Sequence, residues 1–377
     1  MENICKEVFM KRIIKFLSYI LIISIILVGC SSNVKDDNNE KESTDNLSSG
    51  GEIALITGMG DIDDKSFNQG SWEGVVQYAE ENNITYKYYK PSEESDDACL
   101  AAIDLAIKAG AKVVIASGFA YEVPIYMAQD TYPDVHFILV DGKPHNPSGS
   151  EYRTNDNTVT ISYAEEQAGF LAGYASVVEG MDNLGFMGGK AVPAVVRFGY
   201  GFVQGIDYAA KELGVKNVEV SYYYTGAFQA SPEAQAMAAS WYNYGVKAIF
   251  SCGGPVGNSV MAAAEQSDSK VIGVDVDQSS ESDTVITSAA KGIKVSVYDS
   301  ISSYYNNEFK GGTTQIYGAE NNGIELPMET SRFEKFNMED YKNIYEKLAN
   351  GSIEVDNDIN KSIQDLKLEN IKITEVK

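Results

Sequence analysis

The sequence predicts an α/β protein made of two doubly wound parallel-sheet lobes with a ligand cleft between them. Short β-branched runs alternate with stretches of helix length, the pattern of parallel strands joined by crossover helices. Two polar segments, 145–158 and 277–284, break that rhythm and read as crossovers between lobes. The strand-like runs are 53–57, 85–89, 112–117, 135–141, 184–188, 218–224, 247–252 and 270–275, and helices are expected over 66–82, 98–109, 164–178, 194–213, 232–244 and 256–266. After the second break come a short strand-like run at 285–287 and a further helix. The expected organisation is therefore lobe I at 52–157 plus 288–350, lobe II at 158–287 inserted between them, and a charged tail at 351–377. So many units can also close a single barrel, which is the competing arrangement.

Residues 1–29 read as a lipoprotein signal peptide. Lys11, Arg12 and Lys15 precede an apolar run over 16–28 that ends in Leu27-Val28-Gly29-Cys30. The run is short for a membrane span, which needs about 20 residues. A small residue before cysteine suits cleavage and acylation, so the mature chain is expected to begin at a lipidated Cys30 on the extracytoplasmic face of the cell membrane. An uncleaved anchor helix is the alternative. Residues 31–51 hold only Val34 and Leu47 as aliphatics, too little apolar surface to offset ordering the chain, and read as a tether. The roughly 325 residues beyond it suit two domains.

Of the four cysteines, Cys5 leaves with the signal and Cys30 takes the lipid. Cys99 and Cys252 remain, expected as buried core residues rather than as a disulfide framework. Removal of 1–29 deletes four basic and two acidic residues and takes the formal charge from -24 to -26. Such a field repels phosphates and anionic lipid, which argues against nucleic acid as a partner and favours a neutral or cationic ligand.

In open parallel sheets ligands sit beyond the carboxyl ends of the strands. After the first strand comes Gly58-Met59-Gly60-Asp61-Ile62-Asp63-Asp64-Lys65, followed by Ser66-Phe67-Asn68-Gln69. Ser66 and Gln69 read as a capping box, which sets Phe67 and Asn68 in the first helical turn at the cleft mouth. Trp72, Val75, Val76 and Ala79 form the stripe expected to face the sheet, and at about 100° per residue Phe67 lies roughly 130° from its centre. That ring is either displayed for stacking or packed on a neighbouring loop.

Phe228 holds the matching position in the other lobe, after the strand at 218–224 and before the Ser231-Pro232 helix start. Two such rings can sandwich a planar ligand, each worth roughly 1 to 3 kcal/mol. Asp141, Asp275 and Asp277 stand at strand ends, where a carboxylate can accept from vicinal hydroxyls or merely serve a turn or a helix cap. Ser117-Gly118 and Ser251-Cys252-Gly253-Gly254 offer small residues where a ligand can approach backbone amides, unless the glycines only serve tight turns. Lys291 can donate to a ligand hydroxyl or balance a buried aspartate, although a lone lysine is usually solvated.

Enzyme readings lack parts. Gly253-Gly254-Pro255-Val256-Gly257-Asn258-Ser259 has no P-loop lysine, and Gly189-Lys190 is followed by Ala191 rather than Ser or Thr. His136 and His145 are the only histidines, too few for a metal cluster or a histidine-based triad. Asp61, Asp63 and Asp64 lack EF-hand spacing and read as an acidic approach to a helix N-terminus. No cofactor is expected.

The run Gly60-Asp61-Ile62-Asp63-Asp64-Lys65-Ser66-Phe67-Asn68-Gln69, with Trp72-Glu73-Gly74, resembles the basic membrane protein family of bacterial lipoproteins, in the branch of purine nucleoside receptors of ABC transporters. Further matches are Asp141, Gly253-Gly254 with Gly257-Asn258, and Gly273-Val274-Asp275-Val276-Asp277-Gln278. The resemblance implies a periplasmic-binding-protein-like fold of type I. It implies a purine between Phe67 and Phe228, base contacts from Asn68 and Asp141, and ribose contacts from Asp275 and Lys291, with Gly254 lining the site and Ser66, Ser117, Gly118 and Asp277 less central. One departure is Gly58, where the family usually has an aspartate after the first-strand threonine. The expected protein is a monomeric, lipid-anchored receptor, not an enzyme, that passes a purine nucleoside to a permease. A receptor for a sugar or other small polar metabolite, or a surface sensor or adhesin with a protein partner, are the alternatives.

Overall fold

The computed structural model describes residues 50–58 and 60–376. The expected signal peptide, Cys30 and nearly all of the tether lie outside the described residues.

Two sheets form the body. The first contains β1 (Ile53–Ile56), β2 (Tyr86–Tyr89), β3 (Val113–Ser117), β4 (His136–Val140), β5 (Thr158–Tyr163) and β11 (Thr313–Tyr317), in the order β11-β5-β4-β3-β1-β2. The second contains β6 (Asn183–Gly188), β7 (Val218–Tyr224), β8 (Ala248–Cys252), β9 (Lys270–Asp275), β10 (Val285–Lys291), β12 (Ile324–Glu325) and β13 (Ile371–Glu375), in the order β12-β10-β9-β8-β6-β7-β13. Every pairing is parallel except β10 with β12. The central strands read as continuous apolar runs because both of their faces are covered. Ala54, Ile56, Val114 and Ala116 face one apolar layer of the first sheet, and Ile53, Leu55, Val113 and Ile115 face the other. This is the two-lobed, doubly wound arrangement the alternation predicts, not a barrel.

The lobe boundaries differ from the expected ones. The polar segment 145–158 is a loop within the first lobe, held by a bridge between His145 and Tyr152 and ending as Thr158 opens β5, and 277–284 merely joins β9 to β10 in one sheet. Strand pairing, not loop polarity, sets the boundaries. Because β5 pairs with β4, residues 158–163 belong to lobe I; because β10 pairs with β9, lobe II runs to Lys291. The chain then returns to lobe I, where the helix Ile293–Tyr305 packs through Ile293, Val297 and Ile301 and β11 pairs with β5. It ends in lobe II: Ile344 and Leu348 of the helix Met338–Ala349 join that core, and β13 pairs with β7. The expected tail thus ends in an edge strand of the second sheet.

The helices that matter for the site are α1 (Phe67–Asn82), α2 (Asp96–Lys108), α3 (Glu122–Thr131), α4 (Glu165–Val178) and α5 (Pro193–Leu213). On α1, Val75 and Ala79 are buried as expected, whereas Trp72 and Val76 are only half-buried. The buried face instead includes Gly74, whose absent Cβ would lie 2.6 Å from the Lys294 carbonyl. Helices α4 and α5 approach backbone to backbone: a Cβ on Gly169 or Gly173 would fall 2.1 Å from the carbonyl oxygens of Phe198 or Phe202. That contact fixes the start of α4 against the start of α5.

Candidate ligand site

Strand order reverses between β1 and β3 in the first sheet and between β6 and β8 in the second. Ligand crevices form outside the carboxyl ends of strands at such switch points. Thr57-Gly58 and Ser117-Gly118 follow or end the strands of the first pair; Gly189-Lys190 and Gly253-Gly254 follow the second.

The turn before α1 is organised by Asp64, not by a capping box. Asp64 Oδ1 accepts from the backbone N–H groups of Ser66 (2.9 Å) and Gln69 (3.1 Å), and Oδ2 from the backbone (3.0 Å) and side-chain (2.9 Å) N–H of Asn68. A carboxylate is the stronger acceptor at a helix N-terminus, so it takes the role expected of Ser66, and the Gln69 side chain turns to Glu73. Burial shifts the Asp64 carboxyl upward, opposed by these backbone N–H groups. Freed from capping, Ser66 Oγ donates across the lobes to Asp275 Oδ2 at 2.5 Å. Asn68 is buried, and its Oδ1 accepts the Gly58 N–H at 2.9 Å.

Phe67 is half-buried beside Gly118, whose φ is +106° and whose absent Cβ would sit 3.7 Å from the ring. Across the cleft, Phe228 covers Gly189, where a Cβ would come within 2.6 Å of the ring. The Phe228 carbonyl accepts the Val256 N–H at 3.1 Å, joining its loop to Gly253 and Gly254, and Gly254 has φ +54°. Phe228 also lies 6.5 Å from Phe119 of lobe I, centroid to centroid.

The polar centre is Lys291 at the end of β10. Its Nζ lies 2.6 Å from Asp141 Oδ2, 3.1 Å from Asp275 Oδ1 and 3.9 Å from Glu165 Oε1, and 4.8 Å from the Phe67 ring centroid. Asp141 and Asp275 occupy equivalent places after β4 and at the end of β9, both in the left-handed region with φ +55° and +68°. Glu165 also receives the Arg197 Nε at 2.6 Å. Three carboxylates therefore share two cations.

Burial pushes the Asp141 carboxyl up, opposed chiefly by the Lys291 ammonium. Burial works against the charge on Lys291, but Asp141, Asp275 and Glu165 outweigh it and hold the ammonium above its ordinary value. With the two groups 2.6 Å apart, the ion pair forms as pH rises through the raised range of the Asp141 carboxyl. Asp141 Oδ1, Thr57 Oγ1 and Ser117 Oγ are buried without a hydrogen-bond partner among the described residues. Native interiors rarely leave such atoms unpaired.

The strand ends of both lobes thus converge on one buried lysine. Residues 52–359 match the family described as "ABC transporter substrate-binding protein PnrA-like". The chain belongs to this family. It is similar to the "ABC transporter nucleoside-binding protein BmpA" of Lactococcus lactis, 27% identical over 86% of this chain and 93% of that protein. It is also similar to a "CD4+ T-cell-stimulating antigen" of Listeria innocua, 26% identical over 90% and 96%. An ABC transporter solute-binding protein from Aeropyrum pernix shares the fold, with a TM-score of 0.65 at 21% identity over 83% of this chain and 89% of that one.

Within this PnrA-like frame, Ser66, Phe67, Asn68, Ser117, Gly118, Asp141, Asp275 and Lys291 gather around the first lobe's crevice and the buried lysine, while Phe228 and Gly254 come from loops of the second lobe. Asp277 stays outside. It is exposed, and its oxygens accept from the Ser279 N–H (2.9 Å) and the Thr330 hydroxyl (2.6 Å). Sequence reasoning read Asp64 as part of an acidic approach to this helix but gave the capping to Ser66 and Gln69, and it missed Thr57 as a buried polar group and the Glu165–Arg197 pair. An acid at the start of α4 and an arginine in the first turns of α5 look like solvated helix ends until the glycine contact draws the two helices together. Cys99 and Cys252 are buried free thiols, and among the described residues no cluster is placed to hold a metal ion.

Proposed function

We propose that this PnrA-like protein captures a purine nucleoside between its lobes and delivers it to the permease of an ABC transporter. The observation that carries the reading is the buried Asp141–Lys291–Asp275 set, built from both lobes and leaving one Asp141 oxygen without a partner. A vicinal diol donates two hydrogen bonds and accepts others, which suits two carboxylates flanking an ammonium. Phe67 and Phe228 supply faces for the base, and Asn68 and the loop at Gly254 supply polar contacts to it. The description of the Lactococcus relative as nucleoside-binding supports the same ligand class. The signal-like N-terminus and Cys30 support a lipid anchor on the extracytoplasmic face. The receptor works as a monomer in this reading.

Gly58 favours a second reading, a receptor for a sugar or other small polar metabolite. A Cβ there would meet nothing closer than 3.6 Å, so the position admits a side chain and yet presents none to a base. A thermal-shift panel of purine and pyrimidine nucleosides, free bases and simple sugars separates the two. Stabilisation by purine nucleosides alone supports the first reading; stabilisation by sugars without bases overturns it.

A further inference from the structure

We infer that Arg197 is a ligand-contacting residue, a donor to an acceptor oxygen on the sugar half of the nucleoside. The inference rests on the purine nucleoside reading above and adds a residue to that site.

Arg197 lies in the first turns of α5, the helix that starts after the carboxyl end of β6, at the cleft edge of the second sheet. Its Nε donates to Glu165 Oε2 at 2.6 Å, and Glu165 is fully buried. The other oxygen of Glu165 lies 3.9 Å from Lys291 Nζ, so the guanidinium is one carboxylate away from the ion that joins the lobes. Phe198, the next residue, places its ring 5.4 Å from the same ammonium.

The way Arg197 is held separates ligand contact from simple charge balance. An arginine that only neutralised a carboxylate would gain most from the paired fork geometry. Here the carboxylate takes the inner Nε–H, and neither terminal nitrogen has a protein partner among the described residues. The side chain keeps 22% of its surface accessible, so those donors can be reached. The neighbouring acid does not claim them: Glu166 Oε1 accepts from the Asn357 amide at 3.1 Å, and its Oε2 has no hydrogen-bond partner among the described residues. Close packing of α4 on α5 at Gly169 and Gly201 fixes Glu165 relative to Arg197, so the guanidinium is oriented before any ligand arrives. Lysine cannot reproduce this, because one ammonium cannot both occupy the Glu165 end and present two further donors in a plane.

The test uses the full-length chain in detergent micelles, with guanosine as the probe. Arg197→Gln and Arg197→Lys are compared with wild type by calorimetry, and the arginine side-chain nitrogen resonances are followed by NMR through the same titration. Guanosine is expected to shift the Arg197 terminal resonances, identified by their loss in Arg197→Lys. Arg197→Gln is expected to weaken guanosine about 10- to 100-fold, the range for a hydrogen bond to a charged donor, with Arg197→Lys between the two. Terminal resonances unmoved at saturation, or an Arg197→Gln affinity within about twofold of wild type, overturns the inference while leaving the nucleoside reading intact. Wild-type protein that shows no response to guanosine at any resonance overturns both.

Discussion

Lys291 and Asp141 come from different lobes, and their charged groups meet at 2.6 Å with 2% and 8% of their side-chain surfaces exposed. Ser66 makes the reciprocal contact, from lobe I to Asp275 in lobe II. The two strand-end aspartates are thus each tied to the opposite lobe, and the polar centre is assembled from both. Lys291→Met leaves Asp141, Asp275 and Glu165 with Arg197 as their one cation. Breaking a buried pair in this way costs about 3–5 kcal/mol, so urea denaturation should show a fall of that size together with loss of nucleoside binding. An unchanged midpoint would place the lysine outside the stabilising network.

The Asp141 carboxyl is displaced upward to about 7 by burial, with Lys291, Glu165 and Arg197 as its charged neighbours. The sign follows from linkage. A carboxyl raised in the folded state contributes stability that is present below the unfolded value and lost as pH rises through the folded one. A ligand that donates to the carboxylate acts oppositely, because it needs the ionised form. Nucleoside affinity should therefore fall as pH drops from about 7 toward 5, well above the range where an ordinary carboxylate would protonate, and Asp141→Asn should flatten the profile. Calorimetry across that interval measures it; a flat wild-type profile would contradict the assignment.

Phe67→Ala and Phe228→Ala each remove one face of the proposed sandwich. Each should weaken a purine nucleoside by about 1–3 kcal/mol, with far-ultraviolet circular dichroism unchanged because both rings are only half-buried, at the edge of their lobe's apolar core. Unchanged affinity in both variants would remove stacking from the mechanism.

At the rim, Lys190 Nζ contacts Glu94 at 2.6 and 2.8 Å, one residue from each lobe. Both are partly solvated, so the pair is worth about 0.2–1 kcal/mol, enough to raise ligand release by about 1.5- to 5-fold when broken. Lys190→Glu should speed dissociation in stopped-flow traces, and the Glu94→Lys/Lys190→Glu exchange should restore it. Equal release rates in all three proteins would leave the pair without a part in closure.

Much of this was legible in the chain. Apolar runs of strand length marked β1, β3, β4, β8 and β9 because these strands are covered on both faces, and the carboxylates that end β4 and β9 are the ones the fold brings to Lys291. Phe67 stood out because it fell off the apolar stripe of its own helix. The lobe boundaries were not legible, since polarity marks where chain meets water and cannot say which sheet the next strand joins. Nor was the choice between Asp64 and Ser66: both are credible caps locally, and only Asp275, more than 200 residues on, decides that Ser66 points away. Asp277, the weaker candidate beside Asp275, falls outside because β9 ends at Asp275 and the chain carries the second carboxylate out to Thr330.

The most direct test is calorimetric titration of the chain from Gly51 onward with adenosine, guanosine, inosine, cytidine, the free bases and simple sugars. The account predicts saturable one-to-one binding of a purine nucleoside at submicromolar concentration, tighter than its free base or ribose alone. No heat with any nucleoside, or equal binding of free sugars, would contradict it.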